Sequence, residues 1–523
     1  MSRRHAAALL ITRGSGADLE ILLCERAPEL RFFGGYHALP GGTLASEDWV
    51  VAGCEPSADD GAALQACALR ELFEETGLVR HELPDARSTH AALVSARRDL
   101  LARENKGREP DASPKGRSPF LDLIADCSQP APLLPLCRIE TPPFAPVRYD
   151  TVFFHLPLSQ CRYGTKRDAN GMPEPDVWNG ELTHGRFWRP HDALRAWRQG
   201  EIQLVPPVVI LCEHLAAHPD LAAFAAAIAR TESSYQQGAL HRVRFSPGVV
   251  LAPLRTPTLP PATTTNCLVV GHRELWVIDP GSPHEGEQRR LLTLLDELCA
   301  DGATLRGVLS THHHQDHTGG IAALCAARNL EVRGHPETLS RLPAGCRIGK
   351  AIHDGDVLQL GVAPDGSAGW TLAAIHTPGH DRGHLCFVES RYGAAIVGDM
   401  LSTVSTIIVD PPEGHLATYL HSLDRLLQEP LTTLYPAHGP AFRDGSRLVK
   451  QYLRHRRQRE TSLVAALQGS AGTVEQLLPK VYWDADPKLY RFAARSLLAG
   501  LHKLEEEGRA THDGDLWREV RQP

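Results

Sequence analysis

The segment Thr311-His312-His313-His314-Gln315-Asp316-His317-Thr318-Gly319-Gly320 constrains this chain more than any other. It follows the apolar run Gly307-Val308-Leu309-Ser310, which reads as a buried strand. A loop at a strand end can aim several side chains at one point. Imidazole and carboxylate are the donors that borderline metals such as Zn²⁺ accept. His312 and His314 alternate and can converge on one cation, and Asp316 and His317 can serve a second. A cloning tag would lie at a terminus and would lack the aspartate and the paired glycines.

Further landmarks follow in order along the chain: Ile278-Asp279-Pro280-Gly281, His376-Thr377-Pro378-Gly379-His380, Val397-Gly398-Asp399 and Tyr435-Pro436-Ala437-His438-Gly439. With H-x-H-x-D-H, this series resembles the metallo-β-lactamase superfamily from about Val249 to Arg443. The resemblance implies one cation held by His312, His314 and His380, and a second held by Asp316, His317 and His438. Asp399 would bridge them, and Asp279 would orient a ligand. The cations would be two Zn²⁺, with Mn²⁺ or Fe²⁺ as alternatives. A pair of such cations activates water and polarises a carbonyl or phosphoryl oxygen, so hydrolysis needs no serine or cysteine nucleophile. Thioester, lactam and phosphodiester hydrolases share these residues. His313 is expected to point away, His376 and His384 to act as supports or substrate contacts, and His272 and His335 to be ordinary histidines.

A second signal is Arg70-Glu71-Leu72-Phe73-Glu74-Glu75-Thr76-Gly77-Leu78. On a helix, Glu71, Glu74 and Glu75 lie at i, i+3 and i+4 and share a face. Crowded carboxylates repel unless a cation lies among them, and oxygen donors suit Mg²⁺ or Mn²⁺. A plain solvated acidic face is the other reading. The stretch resembles the second half of the Nudix box. Gly42 and Asp48 resemble its first half, with 21 residues between Asp48 and Arg70 where the family has seven. An interrupted box resembles the acyl-coenzyme A diphosphatase group, as do His37-Ala38-Leu39-Pro40-Gly41-Gly42 and Trp188-Arg189-Pro190. The resemblance implies that Glu71, Glu74 and Glu75 hold the metal while Arg70 orients a glutamate. Glu181 is a candidate base. Asp316, Glu74 and Glu75 are the acids expected to take part in catalysis.

At 523 residues the chain exceeds one core. Three blocks are expected: a Nudix-like α/β/α sandwich over 1–237, a metallo-β-lactamase-like αββα sandwich over 243–443, and a winged-helix-like tail over 444–523. The Ser- and Gln-rich stretch Thr231–Leu240 reads as the linker, and the polar text Glu104–Pro119 as an insertion. The tail shows helices over Arg447–Leu467, Val474–Tyr482 and Leu489–Glu507, then Gly508 and a hairpin over Arg509–Val520. It resembles the tail of a metallo-β-lactamase subgroup that includes a single-strand endoribonuclease. The basic run His455-Arg456-Arg457-Gln458-Arg459 can touch phosphate or pack against the catalytic domain.

Composition narrows the partners. A net charge of -7 gives no global pull toward nucleic acid or anionic membrane. No stretch approaches the roughly 18 apolar residues of a membrane span. Twelve cysteines without a C-x-x-C pair suit reduced thiols in a cytoplasmic protein. The substrates expected are small nucleotides or thioesters, coenzyme A derivatives among them. RNA processing with a non-catalytic Nudix module is the alternative.

Overall fold

The computed structural model describes residues 3–30, 33–56, 60–106, 118–145 and 147–520. The chain divides into two compact units, one of Met1–Pro142 with Val147–Gly238, the other of Pro143–Pro146 with Ala239–Pro523.

Unit 1 is built on β1 (Arg3–Arg13), β2 (Glu20–Arg26), β3 (Gly41–Thr43), β4 (Leu134–Glu140), β5 (Arg148–Pro157) and β6 (Leu182–Trp188). Their order is β6-β2-β1-β5-β4, with β3 alongside β1. β1 runs parallel to β5 and antiparallel to β3. The middle of β1, Ala6 to Ile11, is continuously apolar because both faces are covered. Leu9 and Ile11 face one core with Leu64, Cys67 and Leu72 of the helix Gly61–Thr76 (α2). Leu10 faces another core with residues of α4 (Pro190–Gln199), α5 (Pro206–Ala217) and α6 (Leu221–Gln236). Two further helices complete the site region, the short α1 (Ser46–Ala52) before α2 and the 17-residue α3 (His90–Lys106) after it. At about 1.5–3 kcal/mol per buried leucine, the apolar face of α2 holds the helix in place against the cost of its buried carboxylates.

The division between the units, Gly238/Ala239, falls inside the expected linker Thr231–Leu240, but the first part of that stretch is corrected from loop to helix. Thr231–Gln236 forms the last turns of α6, whose Ala-rich text carries the helix through the Ser and Gln residues. Thr231 Oγ1 also lies 3.0 Å from His214 Nε2 of α5. The expected insertion at Glu104–Pro119 lies mostly outside the described residues.

Unit 2 opens with the sheet β7 (Val249–Arg255), β8 (Thr264–Val270), β9 (Glu274–Ile278), β10 (Thr304–Leu309) and β11 (Val332–Arg333), paired in that order. A second sheet pairs β12 (Val357–Gly361), β13 (Trp370–His376), β14 (Leu385–Glu389), β15 (Ala394–Gly398), β16 (Thr433–Pro436) and β17 (Phe442–Arg443). The inward side chains of both sheets, such as Leu268, Ile278, Leu372 and Phe387, share one core. Their outward neighbours pack under helices. Val269 and Val277 meet α7 (Glu285–Ala300) and α9 (Ile321–Arg328), while the one-turn α8 (Gln315–Thr318) lies between those helices in sequence. Val388 and Val397 meet α10 (Leu416–Leu426) and the start of α11 (Gly445–Leu467). The result is an αββα sandwich.

The 23-residue α11 serves two cores. Leu448, Val449 and Tyr452 cover the second sheet, while Leu463 and Leu467 join α12 (Val474–Val481), α13 (Tyr490–Glu506) and Trp517. β18 (Ala510–Asp513) and β19 (Leu516–Glu519) pair as a hairpin after α13, completing a winged helix. All twelve cysteines are free thiols. No helix among the described residues is long and apolar enough to cross a membrane.

Candidate functional site

Strand ends gather the site in unit 2. β9 ends at Asp279, and β10 leads through Ser310–His314 into α8. Gly281 lets these two loops meet, because a Cβ there would lie 1.8 Å from the Asp316 carbonyl oxygen. Asp279 is the organising acid. Its Oδ1 accepts from Thr311 N at 2.8 Å, and its Oδ2 accepts from Thr311 Oγ1 at 2.6 Å and from His317 Nδ1 at 2.9 Å. Having spent its proton on Asp279, Thr311 Oγ1 accepts from His312 Nδ1 at 3.0 Å.

The other histidines are fixed the same way. His380 Nδ1 donates to the Ile408 carbonyl at 2.9 Å, and His438 Nδ1 donates to the Thr264 carbonyl at 3.1 Å. With Nδ1 used as a donor, His312, His317, His380 and His438 each aim Nε2 at the site, a lone pair in the neutral ring. His314 presents Nδ1 instead, 3.0 Å from His312 Nε2 and 3.2 Å from His380 Nε2.

Among the described residues three groups of donors result: His312, His314, His380 and Asp399, then Asp316, His317 and His438, and beside the first a smaller group of His313, His314 and Asp381. Asp399 faces both. Its Oδ2 lies 3.5 Å from His380 Nε2, and its Oδ1 lies 3.6 Å from His317 Nε2 and 3.3 Å from His438 Nε2. Asp316 Oδ2 sits 3.5 Å from His438 Nε2 and accepts from Thr265 Oγ1 at 3.3 Å.

This donor set fits a pair of cations. Converging lone pairs at such distances repel unless positive charge lies among them. His317 Nε2 and Asp399 Oδ1 are buried without a hydrogen-bond partner. Burial pushes His312 well below its ordinary pKa and His314 down to about 4, so both stay neutral, as metal binding requires. Burial alone would lower His317 too, but Asp316, Asp399 and Asp279 outweigh it and hold it well above. Burial opposes the ionisation of Asp399, yet His438 and His317 keep its carboxyl well below the usual range.

The remaining histidines divide. His384 Nε2 accepts from Asp399 N at 3.1 Å and its Nδ1 bonds Thr377 Oγ1, making it a support for Asp399. His313 turns from the main clusters to pair with buried Asp381. His376 bonds the Arg382 carbonyl and stacks on His335 with ring centroids 4.3 Å apart.

In unit 1 the insertion leaves the register of Asp48 open in sequence, and the fold resolves it. Asp48 is fully buried on α1 and takes the fork of Arg70, Nε to Oδ1 at 2.8 Å and Nη2 to Oδ2 at 3.1 Å. Arg70 Nη1 reaches Glu71 Oε1 at 2.8 Å and Glu74 Oε2 at 2.6 Å. Glu75 Oε2 accepts from Gly41 N at 2.7 Å. Gly42 passes so near that a Cβ there would lie 2.1 Å from Glu71 Oε1. Glu71 and Glu74 thus share Arg70 while Glu75 is held by the Gly41 amide, and among the described residues the three carboxylates do not form a cluster as close as those of unit 2. Burial raises Glu71, and burial with the neighbouring charge of Glu71 raises Glu75 well above the usual carboxylate range. Glu181 adds to both shifts, which sets it near them. Buried acids that resist ionisation suit a hard cation.

Sequence reasoning missed Arg97. Fully buried on α3, it donates from Nε to the Glu74 carbonyl and from Nη2 to the Glu75 carbonyl, both at 3.0 Å. A cation at the C-terminal end of α2 also complements the helix dipole. No local motif announces it, since its partners are main-chain atoms.

Comparison with known proteins bears on both units. Residues 260–438 match the metallo-beta-lactamase superfamily, 473–517 the beta-lactamase associated winged helix domain, and 1–110 the NUDIX domain. The chain is 29% identical over 268 residues to the lactamase-like protein adaB of Aspergillus niger, covering 48% of this chain and 78% of that protein. It is 28% identical over 265 residues to the atrochrysone carboxyl ACP thioesterase nsrC of Aspergillus novofumigatus, covering 48% and 76%. A NUDIX hydrolase structure from Alicyclobacillus acidocaldarius is 27% identical, with a TM-score of 0.34, and covers 43% of this chain and 96% of that one.

Proposed function

We propose that this chain, a Nudix hydrolase domain joined to a metallo-β-lactamase superfamily hydrolase domain with its associated winged helix, hydrolyses coenzyme A derivatives at two different bonds. The second unit would cleave an acyl thioester, and the first would cleave the diphosphate. One observation carries the reading: Asp399 belongs to one His/Asp cluster and lies within 3.6 Å of His317 and His438 of the other, in a domain whose relatives include a protein named as a thioesterase. A coenzyme A thioester contains both bonds.

His312, His314 and His380 would hold one cation, and Asp316, His317 and His438 the other, with Asp399 facing both. Zn²⁺ suits the nitrogen-rich set, with Mn²⁺ or Fe²⁺ as alternatives. Bound there, such ions make water a better nucleophile near neutral pH and polarise the scissile oxygen. Asp279, Ile408 O and Thr264 O keep the imidazoles in one tautomer and one orientation. Water adds to the thioester carbonyl and the C–S bond breaks. Its proton passes by Asp316 Oδ2 to the departing thiolate, leaving a carboxylic acid and a thiol.

In unit 1, Glu71, Glu74 and Glu75 would hold Mg²⁺ or Mn²⁺. Arg70 and Asp48 keep the helix and the preceding loop in register. Water attacks one phosphorus of the diphosphate and the bridging P–O bond breaks.

Cleavage of RNA has less support. Arg456 is buried, and Arg459 is engaged by the Val481 carbonyl and by Asp484, so two of the basic run's three arginines are taken up within the protein. The test is turnover by the full-length protein of an acyl-coenzyme A, free coenzyme A and single-stranded RNA. Thioester hydrolysis with Zn²⁺ and diphosphate hydrolysis with Mg²⁺ are expected, each lost to a chelator. RNA cleavage without either of them would contradict the reading.

A further inference from the structure

His380 owes its orientation to the Ile408 carbonyl, and Ile408 lies in the loop between Asp399 and α10. Backbone in such a loop drifts unless something fixes it. Here α11 does so. Arg456, a buried guanidinium on α11, donates from Nη2 to the carbonyl of Ile407, one residue before Ile408. The same guanidinium lies 5.2 Å from the ring centroid of Tyr419, whose hydroxyl donates to the Met400 carbonyl at 2.7 Å. One turn earlier on α11, Tyr452 Oη accepts from Ser402 N at 2.9 Å and lies 2.8 Å from the carbonyl oxygens of both Ser402 and Ser405. Farther along the loop, Asp410 pairs with Arg495 of α13 at 2.7 Å, and His415 pairs with Glu506 of α13 at 2.9 Å.

We infer that Arg456, seconded by Tyr452, is a positioning residue for the His380 ligand, so that the helix opening the winged-helix tail is a working part of the metal centre. The chain of contacts is short and continuous: Arg456 to Ile407 O, the next peptide's carbonyl to His380 Nδ1, and His380 Nε2 would then face the cation. A charged guanidinium N–H makes a stronger hydrogen bond to a carbonyl than a neutral donor does. Moving the 407–408 peptides would tilt the imidazole, and loss of such an outer partner typically weakens metal binding about 10–100-fold. The inference rests on the metal assignment proposed above for His312, His314 and His380.

The experiment titrates Co²⁺ into metal-free, full-length protein and follows its visible absorption bands. For the unaltered chain, two bound ions with distinct spectra are expected. Arg456→Met is expected to weaken one ion about 10–100-fold and to change its bands. The second ion and the Mg²⁺-dependent diphosphatase activity stay as they were. Arg456→Lys is expected to recover part of the affinity, and Tyr452→Phe to shift the same ion in the same direction. Arg454→Met, an exposed change on the same helix, is expected to alter neither ion. If Arg456→Met does not fold, Arg456→Lys and Tyr452→Phe decide. Variants that bind both ions with unaltered affinity and bands overturn the inference and leave the metal assignment standing. An unaltered chain that takes up no Co²⁺ overturns the metal assignment itself.

Discussion

Replacing Asp399 by asparagine is expected to lower thioester hydrolysis at least about 10³-fold, roughly 4 kcal/mol of transition-state stabilisation. The change is isosteric, so the packing around His384 and the strand end persists. What goes is a negative charge within 3.6 Å of three imidazole nitrogens that belong to both clusters. A neutral amide cannot balance two cations in a buried site, and a metal pair accounts for several kcal/mol of charge stabilisation. The diphosphatase activity of unit 1 is expected to stay within about two-fold, because its carboxylates belong to a separate compact unit with its own core. Comparing kcat/KM for an acyl-coenzyme A and for free coenzyme A in one preparation checks both halves. An undiminished thioesterase would remove Asp399 from the reaction.

Glu75→Gln carries the mirror-image expectation. Glutamine keeps an oxygen that can accept from Gly41 N, so the loop before α1 holds its place. It loses the charge that crowding and burial make costly and that a cation would repay. Mg²⁺-dependent cleavage of the diphosphate is expected to fall at least about 10²-fold, more than 2.7 kcal/mol, with thioester hydrolysis unaltered. Rising Mg²⁺ should recover part of the loss if affinity is what was damaged. Equal diphosphatase rates in the two proteins would show that Glu75 holds no metal.

The histidine centre was readable because its donors are side chains, sent from strand ends at spacings that the chain itself displays. The glutamate helix was readable from its i, i+3 and i+4 pattern. The place of Asp48 was not, since an insertion separates it from Arg70 in sequence and only the buried fork joins them. Thr231–Gln236 misled because serine and glutamine signal loops only on average, and the alanine-rich helix before them runs on. Ile408, Arg456 and Arg97 were illegible for one shared reason. Each acts through a main-chain carbonyl, and a carbonyl has no letter in the sequence. The basic run on α11 shows the same limit, because neighbouring arginines have unlike fates: Arg456 is buried and Arg457 exposed.

Counting metal is the shortest route to the claim on which the rest depends, that distant imidazoles and acids of unit 2 enclose a pair of cations. Full-length protein would be loaded with Zn²⁺, freed of excess, and assayed by mass spectrometry for metal per chain, beside Asp399→Asn. Two tightly held zinc ions in the unaltered chain, and no more than one in the variant, are expected. An unaltered chain that retains none, or a variant that retains the same two, would contradict the account.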